Sequence, residues 1–192
     1  MENKILIIYA HPNTEGYNKE ILRNVLSHLN KKNKEYKLLD LYHMNFNPVL
    51  DQDELIIKGG ALSTDTLKFQ KDISEHDKLI FIYPIWWGSM PAILKGFADK
   101  VFSQGFAYKY VNGRPKGLLK NKEALVFSTS GAPDFYNFLT CKKFTKGLTK
   151  DVLSFCGIKS KSKIIGNALD IDKKDERERV KNIVLKELDS FL

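Results

Sequence analysis

Five short apolar runs punctuate the chain: Lys4 to Tyr9, Tyr36 to Leu41, Lys78 to Tyr83, Glu123 to Ser128 and Lys159 to Ile165. Each is nearly continuous in Ile, Leu, Val and Phe between turn signals, the pattern of strands covered on both faces in a parallel sheet. Between the first two runs Ile21, Leu22, Val25, Leu26 and Leu29 recur at helical spacing, and near the far end Val180, Ile183, Val184, Leu188 and Phe191 do the same. Asp172, Asp175 and Glu176 are expected to open that last helix, where acidic groups suit the positive end of the peptide dipoles. The alternation predicts one doubly wound α/β domain over residues 1–192, with right-handed crossovers and helices on both faces of a five-stranded parallel sheet. Its expected strand order is 2-1-3-4-5, which places a ligand crevice at the carboxyl ends of strands one and three.

The loops at that end are therefore where chemistry is expected. The first, His11 to Asn18, leads into a helix whose opening N–H groups can hold a phosphate. It lacks the glycine patterns of a Rossmann dinucleotide site and of a P-loop. An ordinary turn over Asn13 to Gly16 with Asn18 as a helix cap is the alternative. The second, Tyr83 to Pro91, carries Trp86 and Trp87 between prolines. On a constrained loop both indoles can frame a flat ligand while backbone N–H groups bond its edge, although the same pair could simply plug the top of the core. Pro91 is well placed in the first turn of the following helix. The third loop, Ser128 to Pro133, offers small residues that let backbone approach a ring closely.

Composition narrows the partners. With 43% hydrophobic and 28% charged residues the chain reads as globular rather than disordered, and no apolar run reaches the length of a membrane span. The formal charge of +8 is compatible with nucleic acid, an anionic membrane surface, or anionic cofactors and substrates such as phosphates. The lysines are scattered and the four arginines, Arg23, Arg114, Arg177 and Arg179, form no cluster, which argues against nucleic-acid binding. Cys141 and Cys156 form neither a disulfide framework nor a metal-ligand cluster, and no export signal opens the chain, so a reducing cytoplasm is expected.

Together these loops resemble the NAD(P)H:quinone oxidoreductase family, which includes flavoproteins associated with potassium-efflux systems. The resemblance is carried by His11 to Asn18, by Pro84-Ile85-Trp86-Trp87 with Pro91 to Gly96, by Gly105 to Tyr108, by Thr129 to Gly131 and by Phe155-Cys156-Gly157. Its most specific stretch is Asp40 to Pro48. It implies a flavodoxin-like fold, bound FAD or FMN, NADH or NADPH as hydride donor, a quinone-like acceptor, and a homodimer with each active site at the subunit interface.

By position, the resemblance implies that His11, Tyr17 and Asn18 hold the phosphate-bearing tail of the flavin and that Pro84, Ile85, Trp86, Trp87 and Gly88 line its ring. Thr129, Gly131 and Tyr136 would face the pyrimidine edge, and Tyr108 and Tyr110 would reach into the partner subunit's substrate pocket. Gly16 and Gly88 depart from the Ser and Phe of some relatives. The family's catalytic His after Tyr136 is missing, and Lys142, or Lys143 if the alignment slips by one, is the expected replacement cation, the alternative being two solvated surface lysines. A flavin-binding partner that docks on a transporter is the competing function. An electron-carrier flavodoxin is disfavoured, because those are typically acidic.

Overall fold

The computed structural model describes residues 4–55 and 60–192, with the side chains of Cys141 and Lys142 outside the described set. Five strands, β1 (Ile5–Tyr9), β2 (Tyr36–Asp40), β3 (Lys78–Pro84), β6 (Glu123–Thr129) and β7 (Lys159–Ile165), form one sheet in the order β2-β1-β3-β6-β7. Every pairing in it is parallel. Counting only these five, the order is the expected 2-1-3-4-5. The two strands that shift the numbering, β4 (Tyr108–Val111) and β5 (Arg114–Gly117), form a separate antiparallel hairpin that the apolar pattern did not announce. Its turn, Asn112-Gly113, has both residues at positive φ (51° and 74°), the geometry that twists two strands together.

Strand parity divides the core in two. Leu6, Ile8, Leu79, Phe81, Ala124 and Val126 face α2 (Thr64–Glu75), α3 (Ala92–Val101) and the segment carrying Leu148 and Leu153. Ile5, Ile7, Ile80, Ile82, Leu125 and Phe127 face α1 (Tyr17–Lys31) and α6 (Glu176–Asp189). The central strands are buried along their whole length, as their unbroken apolar runs require. The outer strands are not. β7 begins Lys-Ser-Lys-Ser-Lys and buries only Ile164 and Ile165, so the expectation of five continuous apolar strands is corrected at this edge, where lysines discourage edge-to-edge pairing. The opening of α6 is also corrected: Glu176 begins it, Asp175 precedes it in the left-handed region without a side-chain cap, and Asp172 lies outside, paired with Arg177 at 2.6 Å.

Between β6 and β7 the chain forms α4 (Asp134–Phe144), a single turn α5 (Lys146–Leu148) and a π-type turn over Thr149–Ser154. The long connection after β2 packs by close approach. A Cβ at Gly96 of α3 would fall on the Pro48 carbonyl oxygen, well inside van der Waals contact. Gly96→Ala is therefore expected to lower stability by about 1–3 kcal/mol through overpacking, read as a lower urea midpoint with unchanged slope. An unchanged midpoint would show that this segment yields freely. Nearby, Lys100 and Glu54 form an ion pair at 2.8 Å whose side chains are only 7% and 10% exposed. Lys100 also donates to the Val49 carbonyl at 3.0 Å, fixing the segment on α3.

Candidate active site

A cleft of about 570 Å³ opens at the carboxyl ends of β1, β3, β6 and β7. The loop after β1 contributes His11, Asn13 and Glu15 to Asn18, that after β3 Pro84 to Trp86, and that after β6 Thr129 to Gly131. The fourth wall, Ala168 to Asp172 after β7, went unnoticed in the sequence. Topology was the available signal, since this loop leaves the same end of the sheet.

Gly16, at φ 97°, ends the first loop and lets α1 start at Tyr17, with its first N–H groups directed to the cleft end of the helix. Asn18 is therefore not the helix cap. Its buried amide donates to Thr129 Oγ1 at 2.8 Å across the cleft floor, tying the first loop to the third. Thr129 accepts this bond, so its own hydroxyl proton is free for a ligand. Among the described residues Asn18 Oδ1 is enclosed without a partner, while the His11 ring has the Asn13 backbone as a hydrogen-bond partner. Burial lowers the His11 pKa, which leaves the imidazole neutral near pH 7. Its ring lies 6.0 Å from that of Trp86, tilted by 53°.

Tyr17 lines the cleft, but its hydroxyl is engaged elsewhere. It donates to Glu176 Oε2 at 2.8 Å and lies beside the carbonyls of Asn167 and Asp170. Burial first and then Glu176 push its pKa up to about 12. Arg179 holds Glu176 below the usual carboxylate range and extends the bolt to the Gly166 carbonyl (2.9 Å) and Asp134 (3.2 Å). Two acidic side chains at the cleft mouth are matched in the same way, Glu15 by Arg23 at 2.7 Å and Asp172 by Arg177 at 2.6 Å, while Asp170 accepts from the Asp172 N–H at 3.0 Å. An anionic ligand thus meets helix N–H groups, with Asp170 the one cleft carboxylate that has no cation beside it among the described residues.

The two tryptophans share one hollow, and only Trp86 also reaches the cleft. Trp86 and Ser89 exchange backbone hydrogen bonds (2.9 and 3.0 Å) around a turn in which Trp87 has φ 52° and Gly88 φ 73°. Trp86 walls the cleft. Trp87 sits at the turn tip, wholly exposed, and lines a neighbouring hollow of about 760 Å³ with Trp86, Met90, Pro91 and Val152. Gly88 supplies the second positive φ rather than a cleft wall. Tyr136 lies on α4, half exposed, 6.2 Å from the Phe144 ring and outside the cleft lining. The Lys142 side chain is outside the described residues, and Lys143 is exposed. Tyr108 stacks edge-on against Phe155 at 4.9 Å, and Tyr110 projects from the hairpin into solvent; neither lines the cleft of its own chain.

A carboxyl-end cleft on a 2-1-3-4-5 sheet defines a class, and residues 3–188 match the family described as having a flavodoxin-like fold, to which the chain belongs. Within that class the relatives are specific. An uncharacterized NAD(P)H oxidoreductase of Haemophilus influenzae is 36% identical over 159 residues, covering 81% of this chain and 79% of its own. The mouse ribosyldihydronicotinamide dehydrogenase [quinone] is 30% identical over 205 residues, covering 91% and 86%. The solved NAD(P)H:quinone oxidoreductase of Methanothermobacter marburgensis superposes with a TM-score of 0.85 at 28% identity, covering 97% of both chains. The chain is a member of the NAD(P)H:quinone oxidoreductase family, and so an oxidoreductase.

Proposed function

We propose that residues 1–192 act as a single flavin-binding domain that carries two electrons from NADH or NADPH to quinone-like acceptors. The observation that carries the reading is the cleft floor, where Asn18 orients Thr129 between the first and third loops and His11 and Trp86 line the same cleft. These groups fit a flat, polar-edged ring with a phosphate-bearing tail. FMN or FAD would supply a carrier that accepts and returns a hydride. The protein's part is positioning. The first N–H groups of α1 hold the phosphate, Pro84 to Trp86 pack on the ring, and Thr129 and the Gly131 backbone bond its edge. Lys142 is our candidate for offsetting negative charge on the ring, with Tyr136 as hydrogen-bond donor.

The second substrate wall comes from a second copy. Tyr110 and Trp87 stand out from the surface, and on α4 Phe135, Phe138 and Leu139 are 74%, 79% and 66% exposed, more apolar area than a lone chain ordinarily leaves bare. A homodimer that covers these residues brings Tyr108 and Tyr110 to the partner's cleft. A cytoplasmic location is part of this proposal; Cys156 is a free thiol that burial pushes up to about 11 and keeps unreactive.

Heat release of the cofactor and its identification by chromatography test the reading, together with anaerobic reduction by NADH or NADPH and reoxidation by a quinone. Bound flavin, its bleaching by the nicotinamide and its recovery with quinone are expected. A colourless protein that takes up neither FMN nor FAD would end the proposal, and a fully active monomer in sedimentation would end its dimer geometry.

A further inference from the structure

The positive charge of the chain is not evenly spread. From Lys100 to Lys122 every charged residue is basic, as is every one from Phe135 to Lys150; the first run ends at Lys122, whose carbonyl accepts from the Lys159 N–H at the start of β7. At the amino end of β7, opposite the cleft, a depression of about 370 Å³ is lined by Thr149, Lys150, Ser154, Gly157, Ile158, Lys159, Ser160 and Ser162. Among the described residues it contains two ammonium groups, no carboxylate and four hydroxyl-bearing residues, of which Thr149 and Ser160 donate to the Thr145 and Thr149 carbonyls and Ser162 meets the Thr145 hydroxyl. Among the described residues neither Lys150 nor Lys159 pairs with an acidic group. The adjacent Asp151 is turned toward Lys146 at 3.6 Å and lines the hollow beside Trp87 instead. Asp77 and Glu123 lie in a separate small depression that Lys159 borders, and Glu123 is 3.7 Å from Lys78.

The strand edge adds donors of its own. The Lys159 N–H bonds to the Lys122 carbonyl at 3.2 Å, and the Ile165 carbonyl accepts from the Ser130 N–H at 3.0 Å, so the odd positions of β7 face β6. Backbone groups alternate along a strand, and β7 has no neighbour on its other side. The N–H groups of Ser160 and Ser162, together with their carbonyls, therefore point to the open edge, beside the depression their side chains line. Gly157, at φ 92°, lets the chain turn tightly into β7, and the Lys120 stem passes over it closely enough that a Cβ there would be 2.9 Å from Lys120 Cγ. A third ammonium stem thus crosses the rim.

The geometry points to a second anion site here, for a phosphate-type oxyanion held by Lys150, Lys159, the Ser154 hydroxyl and the free β7 edge. Tetrahedral oxyanions suit this set, offering several acceptor oxygens to dispersed N–H and O–H donors and charge enough to offset two ammonium groups. The site lies at the opposite end of the sheet from the cleft, so its occupant is distinct from the reacting molecules. The ligand is a soluble phosphate or phosphomonoester, or the headgroup of an anionic lipid, in which case the site would hold the enzyme against a bilayer surface.

Titrating inorganic phosphate into the full-length holoprotein at fixed ionic strength, observed by amide NMR, is the first arm. Saturable shifts at Gly157, Ser160 and Ser162 in the millimolar range are expected, weakened at least tenfold in Lys150→Ala/Lys159→Ala. They should persist in Lys31→Ala/Lys68→Ala, which removes equal charge elsewhere on exposed positions. The second arm is flotation with vesicles of phosphatidylglycerol and phosphatidylcholine against phosphatidylcholine alone, where each site lysine should contribute roughly fivefold. Binding in both arms, sensitive to the site pair only, assigns a lipid headgroup; binding in the phosphate arm alone assigns a soluble phosphate. Shifts that never saturate, or an equal loss in the control pair, would overturn the site.

Discussion

Replacing Thr129 with Val is expected to weaken flavin retention at least tenfold while leaving the fold intact. Val keeps the shape but removes the hydroxyl that accepts from Asn18 at 2.8 Å and donates to the ligand. The loss has two parts: one hydrogen bond to the cofactor, and an Asn18 amide stranded in a buried position, together about 1–3 kcal/mol. Asn18→Leu/Thr129→Val removes the stranded group as well and should regain thermal stability without regaining flavin. Fluorescence titration of the apoprotein with FMN and FAD provides the affinity, and thermal melts the stability. Unchanged affinity in Thr129→Val would mean that the Asn18 and Thr129 pair is only internal bracing.

Lys100→Met should be the most destabilising of the changes considered, by about 3–5 kcal/mol, with a fall in melting temperature on the order of 10 °C. It leaves the Glu54 carboxylate enclosed without its partner and frees the Val49 carbonyl. Lys100→Met/Glu54→Gln should recover part of the loss. Burial alone would raise the Glu54 pKa, but Lys100, Ser63 and the Asp51 backbone outweigh it and hold the carboxyl below the usual range. A depressed carboxylate contributes its full stability above the unfolded value, near ~4.3, and loses it as pH falls through the folded value. Wild type should accordingly soften below about pH 4, and Lys100→Met should lack this component. Urea midpoints across pH measure both effects, and a cost under ~1 kcal/mol at neutral pH would show the pair to be solvent-compensated.

The architecture was legible because parallel strands covered on both faces need unbroken apolar runs, and β1, β3 and β6 have them. β7 was legible through its Ile164-Ile165 end and its place in the alternation, not through Lys159 to Lys163. The hairpin was passed over because it stands off the sheet: Arg114-Pro115-Lys116-Gly117 has no apolar alternation, and only Asn112-Gly113 marked the turn. At the site, topology located three of four cleft loops. The fourth carries no motif across Ala168 to Asp172, so its role comes only from where β7 ends. Sequence adjacency suggested that Trp86 and Trp87 frame one slot: both line the hollow beside the cleft, whereas only Trp86 also reaches the cleft itself.

The Trp87-Gly88 turn has a counterpart in the same chain. Trp87-Gly88 and Asn112-Gly113 have nearly the same pair of φ angles, 52° and 73° against 51° and 74°. Asparagine tolerates the left-handed region through its short polar side chain, whereas a bulky residue there costs about 1–2 kcal/mol. One tip therefore carries a residue suited to its backbone, and the other a residue its backbone disfavours. Selection for folding alone would write Asn-Gly at both. The indole at position 87 is held at a standing cost to the monomer, which makes this position the place where a stability-driven redesign would gain most readily and would strip away an aromatic surface that only a ligand or a second chain can use.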